Sequence, residues 1–206
     1  MSSAQHEQAA RFFDSVSGTY KDKYKERDPF HHYFFNERLE KAVRDLDLHD
    51  ADVLDIGSGT GDLYDHLVRR FPAMRFHATD VSAGMLAQST VPAGRKYHGH
   101  AYDHPFQVRS FDAVFMLGVT TYLTPEELEK NLAFIARSLK PEGRVIITFS
   151  NAHALDTWLR DLARGPLRLF GGQGRVLSSG LGSWTYGHRA VRRIMERHFA
   201  LERTDL

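Results

Sequence analysis

Short apolar runs alternate with amphipathic stretches through the middle of the chain. Residues 53–56, 75–80, 96–98, 111–117 and 144–149 read as β-strands, being rich in branched and aromatic side chains between polar punctuation. In 111–117 every position except Asp112 is apolar, as in a central strand covered on both faces. Between them lie helical stretches: 62–71 after a glycine-rich turn, a short 82–89 capped by Ser82, and a longer one opened by Thr124-Pro125-Glu126-Glu127. That tetrapeptide is a capping box with proline at the first helical position. Its helix places Leu128, Leu132, Ile135 and Leu139 on one face and stops before Lys140-Pro141-Glu142-Gly143. Strands and helices in alternation predict an α/β fold with a doubly wound, mostly parallel sheet.

The two ends depart from this rhythm. Residues 1–49 read as an N-terminal helical lid, with Phe35, Leu39, Val43 and Leu46 on one helix face. Phe12, Phe13, Tyr20, Tyr24, Phe30, Tyr33 and Phe34 crowd the stretch before it, as lid core or as the wall of a pocket. Residues 50–206 form the main domain, and 151–187 is a variable insertion within it. A final helix over 188–199 leaves room for one further strand at most. The edge of the fifth strand is therefore expected to be completed by sequence beyond residue 206 or covered otherwise, for example by a second subunit.

Composition narrows the chemistry. Of 206 residues 42% are hydrophobic, enough for a full core, and the net charge of +1 gives no global basic excess, so nucleic acid is disfavoured as a partner. The absence of cysteine removes disulfides, thiolate metal sites and cysteine nucleophiles together. No apolar run approaches the roughly 20 residues a membrane-spanning helix needs, and residues 1–10 hold no signal-peptide core. The expectation is a cytoplasmic protein.

The turn after the first strand carries the sharpest signal: Asp55-Ile56-Gly57-Ser58-Gly59-Thr60-Gly61-Asp62. A dinucleotide fingerprint spaces its glycines G-x-G-x-x-G and presents helix amides to a pyrophosphate. Here the third glycine falls one position early and Asp62 takes its slot. Asp62 and Asp55 would both repel a polyanion. They suit a ligand with positive charge and no phosphate, such as S-adenosylmethionine. Asp80 ends the second strand 19 residues after Gly61, where a carboxylate can accept hydrogen bonds from ribose hydroxyls.

With these motifs in order, residues 53–149 resemble the class I (Rossmann-like) S-adenosylmethionine-dependent methyltransferases, nearest to the small-molecule and quinone-type subgroup. The similarity runs through 53–61, through Thr79-Asp80-Val81-Ser82-Ala83-Gly84-Met85-Leu86, through Gly99-His100-Ala101-Tyr102-Asp103-His104-Pro105-Phe106, and through Leu139-Lys140-Pro141-Glu142-Gly143-Arg144. Phe13-Asp14 through Tyr20 resembles the segment with which that subgroup opens. The resemblance implies an enzyme that uses S-adenosylmethionine, releases S-adenosylhomocysteine and needs no metal. Gly57, Ser58, Gly59 and Gly61 would lie against the methionyl part, with Asp55 near its ammonium. Asp80 would take the ribose. Val81 and Met85 would flank the adenine, Ala101 and Tyr102 would close its other side, Met116 and Leu117 would line the methionyl chain, and Tyr20 would cover it from the lid. His100 departs from the pattern, standing where the subgroup has an aspartate for the adenine amino group. A neutral imidazole accepts that hydrogen bond and a protonated one does not, so the pocket should weaken in acid.

Methyl transfer from a sulfonium is an in-line displacement that depends on placing the acceptor and excluding water. Gly118-Val119-Thr120-Thr121-Tyr122 after the fourth strand lacks the Asn/Asp-Pro-Pro-Tyr of enzymes acting on amino-type nitrogens, and no Asp-Asn pair follows the fifth strand as in metal-dependent catechol enzymes. A small-molecule acceptor is expected, with aromatic and lipid-linked compounds as candidates. His31, His32 and His153 are the candidate general bases; the alternatives are that His31-His32 simply starts a helix and that His153 is a surface residue. Residues 158–170 interleave Trp158, Leu159, Leu162, Leu167, Leu169 and Phe170 with Arg160, Arg164 and Arg168, a candidate element for peripheral membrane contact or a cap over an anionic acceptor. The reading from another class is a non-catalytic S-adenosylmethionine-binding or scaffold protein.

Overall fold

The computed structural model describes residues 4–24, 29–150 and 184–204. Among them five strands form one sheet: β1 (Asp52–Ile56), β2 (Arg75–Asp80), β3 (Lys96–His98), β4 (Phe111–Met116) and β5 (Leu139–Ile147). Their order is β3-β2-β1-β4-β5 and every pairing is parallel. The chain winds outward from β1 through β2 to β3, returns, and winds the other way through β4 to β5. Between β1 and β4 the winding reverses, and ligands of open α/β sheets bind beyond the strand ends at such a point.

Among the described residues six helices accompany the sheet: α1 (Ala4–Tyr24), α2 (Pro29–Val43), α3 (Asp62–Leu67), α4 (Ala83–Gln88), α5 (Pro125–Ser138) and α6 (His188–Met195). Side chains alternate along each strand, so both faces are apolar. Val53, Phe76, Ala113 and Phe115 face one core with α2, α3 and α4. Leu54, Ile56, Val114 and Met116 face the other with Leu128, Leu132 and Ile135 of α5 and Met195 of α6. Burial of this kind stabilises by ~25 cal/mol per Å2 of apolar surface removed from water.

The α5 capping box forms as expected, Thr124 Oγ1 accepting from the Glu127 amide while Glu127 accepts from the Thr124 amide. Ser82 caps α4 through the Met85 amide. Two boundaries in the middle of the chain differ by several residues. The helix expected over 62–71 ends at Leu67, and turn hydrogen bonds carry the chain on to Phe71. Pro72 follows, and a residue before proline is driven out of the helical region. The fifth strand begins at Leu139 rather than Arg144 and contains Pro141 and Gly143. Phe111 pairs with Leu139 and Ala113 already with Arg144, so β5 holds a large bulge there. A Cβ on Gly143 would stand 2.9 Å from the Phe111 carbonyl oxygen, which explains a glycine at the closest approach.

The final helix ends at Met195 rather than Phe199, and residues 201–204 follow without forming a strand. Side-chain ion pairs tie this tail down, Glu202 to Arg144 of β5 and Arg203 to Asp45 after α2. Among the described residues no helix is long and apolar enough to cross a membrane.

Candidate functional site

The loop from β1 to α3 is held by backbone. The Gly57 and Ser58 amides both donate to the Thr79 carbonyl at the end of β2, at 2.8 and 3.0 Å. Gly57 has φ of 70°, and a Cβ there would stand 2.3 Å from Val119 Cγ2, so only glycine fits. Gly59 has φ of 55° for a different reason: a Cβ would meet nothing within 4 Å, leaving bare backbone facing a cavity. That bare stretch leaves room for a ligand to approach the backbone.

Asp80 Oδ2 accepts from the Gly59 amide at 2.7 Å, and its Oδ1 from the Ser82 amide at 2.8 Å. Each carboxylate oxygen keeps further lone-pair capacity for a ligand hydroxyl. Burial raises the Asp80 pKa above the usual carboxylate range, against the two amide hydrogen bonds. Asp55 is buried deeper, 3% exposed, and burial with the nearby Asp80 charge pushes it up to about 8. Arg38 of α2 opposes that rise. Asp62, at the first position of α3, adds to it.

The cavity, about 440 Å3, lies beyond the C-terminal ends of β1, β2 and β4. Gly57, Gly59, Asp80, Val81 and Met85 form one wall, and Gly99, His100 and Ala101 continue it past β3. Leu117, Gly118 and Val119 bound it on the β4 side. The roof comes from the lid: His6, Ala9, Phe13 and Tyr20 of α1 and Arg38 of α2. Glu127 and Asn131 close it from α5.

Polar and aromatic contacts seat the lid. Asp14 Oδ1 accepts from Ser82 Oγ at 2.5 Å and from the Gly84 amide at 2.9 Å, so a residue of α1 caps α4. The Ser82 hydroxyl holds the Asp14 carboxyl below its ordinary pKa. Phe13 meets Tyr122 edge-on, ring centroids 5.1 Å apart. His6 lies 3.9 Å from the His100 ring, which stacks on Tyr102 at 4.6 Å. Burial, helped by His6, lowers the His100 pKa to about 4.

Of the residues expected to hold a cofactor, Tyr20, Gly57, Gly59, Asp80, Val81, Met85, His100, Ala101 and Leu117 meet around one cavity. The rest stand behind the wall. Asp55 and Met116 are buried beneath it, Gly61 packs toward Ser89, Tyr102 backs His100, and Ser58 is buried with no hydrogen-bond partner for its hydroxyl. The candidate bases are not among these: His31 and His32 fall in α2, their side chains outside the described residues, and His153 lies outside them entirely. Residues 158–170 and most of 151–187 lie outside them too. Sequence reasoning missed His6, Arg38, Glu127 and Asn131 as wall residues. Their only signal is a polar side chain on an otherwise packed helix face.

Residues 53–143 match a family model described as a methyltransferase domain. The chain is 29% identical over 144 residues to a demethylmenaquinone methyltransferase of Thermotoga maritima, covering 68% of this chain and 60% of that one. It is 34% identical over 148 residues to a malonyl-[acyl-carrier protein] O-methyltransferase of a Marinomonas species, covering 68% and 51%. The chain thus spans little more than half the length of these relatives. Magnesium protoporphyrin IX methyltransferase of Synechocystis, solved with bound SAM, superposes with a TM-score of 0.68 at 15% identity, over 99% of this chain and 90% of that one.

Proposed function

Residues 53–143 are a methyltransferase domain of the class I, Rossmann-like family, and on that premise we propose that the chain binds S-adenosylmethionine in this cavity and methylates a small-molecule acceptor. The observation that carries the reading is Asp80: a buried acid on the cavity wall, pinned by the Gly59 and Ser82 amides beside bare glycine backbone. This donor set fits a ribose and a cation and rejects a pyrophosphate.

When bound, the cofactor supplies an electrophilic methyl group on a sulfonium and leaves as the neutral thioether. The residues of the chain do the rest. Asp80 takes the ribose hydroxyls, and the loop at Gly57 and Gly59 lies along the methionyl chain, with Asp55 behind it favouring the ammonium. Arg38 brings the opposite charge to the same end, suited to the methionyl carboxylate. Val81 and Met85 hold one face of the base, Ala101 the other. Phe13, Tyr20 and Tyr122 exclude water around the reacting end. His31, His32 and His153 are the candidates to accept the acceptor's proton, should its nucleophile need one removed.

The acceptor enters beneath the lid. The relatives act on a quinone precursor and on an acyl-carrier-linked acid. An aromatic or lipid-linked small molecule suits the aromatic roof. A scaffold role would fit a lid packed shut, and a cavity of this size under α1 favours the enzyme.

Calorimetric titration of S-adenosylmethionine and, separately, NAD tests the reading. Micromolar binding of the first alone, lost in Asp80→Ala, is expected. Binding of NAD, or of neither, would overturn it. A screen of quinol-like and lipid-linked acceptors then addresses the substrate.

A further inference from the structure

Asn131 sits inside the apolar stripe of α5, between Leu128 and Leu132, and is 2% exposed. Its Nδ2 donates to the Glu127 carbonyl one turn back, at 2.8 Å. That bond fixes the amide: the flipped orientation would set carbonyl against carbonyl. Oδ1 is left buried with no hydrogen-bond partner, on a residue that lines the cavity. An unmet buried acceptor is expensive, and native proteins keep few of them without a use. This corner of the cavity therefore asks for a hydrogen-bond donor.

The position along the cavity says which donor. A ligand with its sulfonium near Gly57 and its ribose on Asp80 must carry its base beyond the tip of β2. There the wall is Gly99, His100 and Ala101; α5 packs against the 101–103 turn, its Glu127 acts on the His100 ring, and Glu127 and Asn131, one turn apart, both line the cavity. Glu127 Oε2 already accepts from both the amide and the hydroxyl of Thr124. Asn131 Oδ1 is an acceptor there with no partner at all.

We infer that Asn131 is the residue by which this chain reads the exocyclic amine of the cofactor's purine, in place of a carboxylate at position 100. The inference rests on the S-adenosylmethionine reading above and assigns to α5 a task that residue 100 cannot perform with charge. An exocyclic amine has two hydrogens, so neutral His100 remains free to take the second. A purine with a carbonyl at that position would set oxygen against Oδ1 and be rejected.

S-adenosylhomocysteine and S-inosylhomocysteine, which differ at that edge of the purine (an amine beside bare N1 against a carbonyl beside N1–H), are titrated into the wild-type chain, N131L and N131S. The wild type is expected to prefer the adenosyl compound by roughly 10- to 100-fold, the cost of leaving one buried acceptor unpaired. In N131L, and in N131S, whose hydroxyl can still bond the Glu127 carbonyl, that ratio should fall to about threefold or less, mostly through weaker adenosyl binding. A wild-type ratio near one overturns the inference, as does a ratio unchanged in either folded variant, while the cofactor reading stands. Binding of neither compound by the wild type fells both.

Discussion

The two ends of β1 each carry an aspartate, three residues apart, and treat it in opposite ways. Asp52 at the start takes two hydrogen bonds from the Arg75 guanidinium, at 2.6 and 2.8 Å, and one from Lys140 at 3.2 Å. Lys140 also bonds Asp112, which accepts from the Asp52 amide. Arg75, chiefly by hydrogen bonding, holds Asp52 below the ordinary carboxylate pKa. Asp55, toward the other end, lies buried beside Asp80 and its pKa is pushed up to about 8. The same strand thus neutralises a carboxylate where it meets β2 and β5, and leaves one undercompensated beneath the cavity. Perturbed acids of this kind gather where function outweighs stability.

Replacing Asp55 breaks the comparison most sharply. A buried carboxyl with folded pKa near 8 against 3.8 unfolded keeps its proton only in the folded state, so stability is greatest below about pH 4 and is lost as pH rises toward 8. Asp55→Asn should remove that slope and stabilise the ligand-free protein at pH 8 by a few kcal/mol, since each tenfold change in proton affinity is worth ~1.4 kcal/mol. It should also weaken S-adenosylmethionine by about tenfold or more, for want of a charge facing the ammonium. Thermal melts at pH 5 and 8 with a calorimetric titration decide; an unchanged melt at pH 8 would mean that Asp55 is as well compensated as Asp52. At the opposite end Asp112→Ala should lower stability by about 1–2 kcal/mol, since Lys140 and the Asp52 amide lose a partner, and leave cofactor affinity alone.

Smaller effects sharpen the contrast. Asp14→Ala removes the acceptor shared by Ser82 and Gly84 and should destabilise by ~1 kcal/mol, as for a lost helix cap. Unlike Asp112→Ala it should also weaken the cofactor several-fold, because the lid roofs the cavity. The last effect, on stability in acid alone, belongs to His100. Burial first, then His6, holds its pKa at about 4, with Asp103 and Glu127 opposing. A depressed imidazole is favoured neutral in the fold, so its contribution is present above the unfolded pKa of 6.5 and is lost as pH falls toward 4. His100→Gln should flatten the fall in urea midpoint between pH 7 and 5. The acid weakening expected of the adenine pocket accordingly belongs below about pH 5.

What the sequence reveals follows local chemistry. Strands β2 and β3 match their expected spans because period and punctuation agree there, and the Ser82 and Thr124 caps form because they need only residues within one turn. Asp80 is recognisable from its place at a strand end. The start of β5 is hidden because Pro141 and Gly143 read as a turn, whereas pairing with β4 absorbs them in a bulge. Asn131 is obscured by its apolar neighbours at 128 and 132, and Glu127 by its capping role. His6 and Arg38 join the site through packing between elements far apart in sequence, which no window of one chain displays.

Asp14 lies at the midpoint of α1, a helix of 21 residues and roughly 30 Å. His6 and Tyr20, on either side of that point, both reach the cavity. One straight helix therefore spans the whole opening, and the side chain that registers it over the sheet is the same one that closes the first turn of α4.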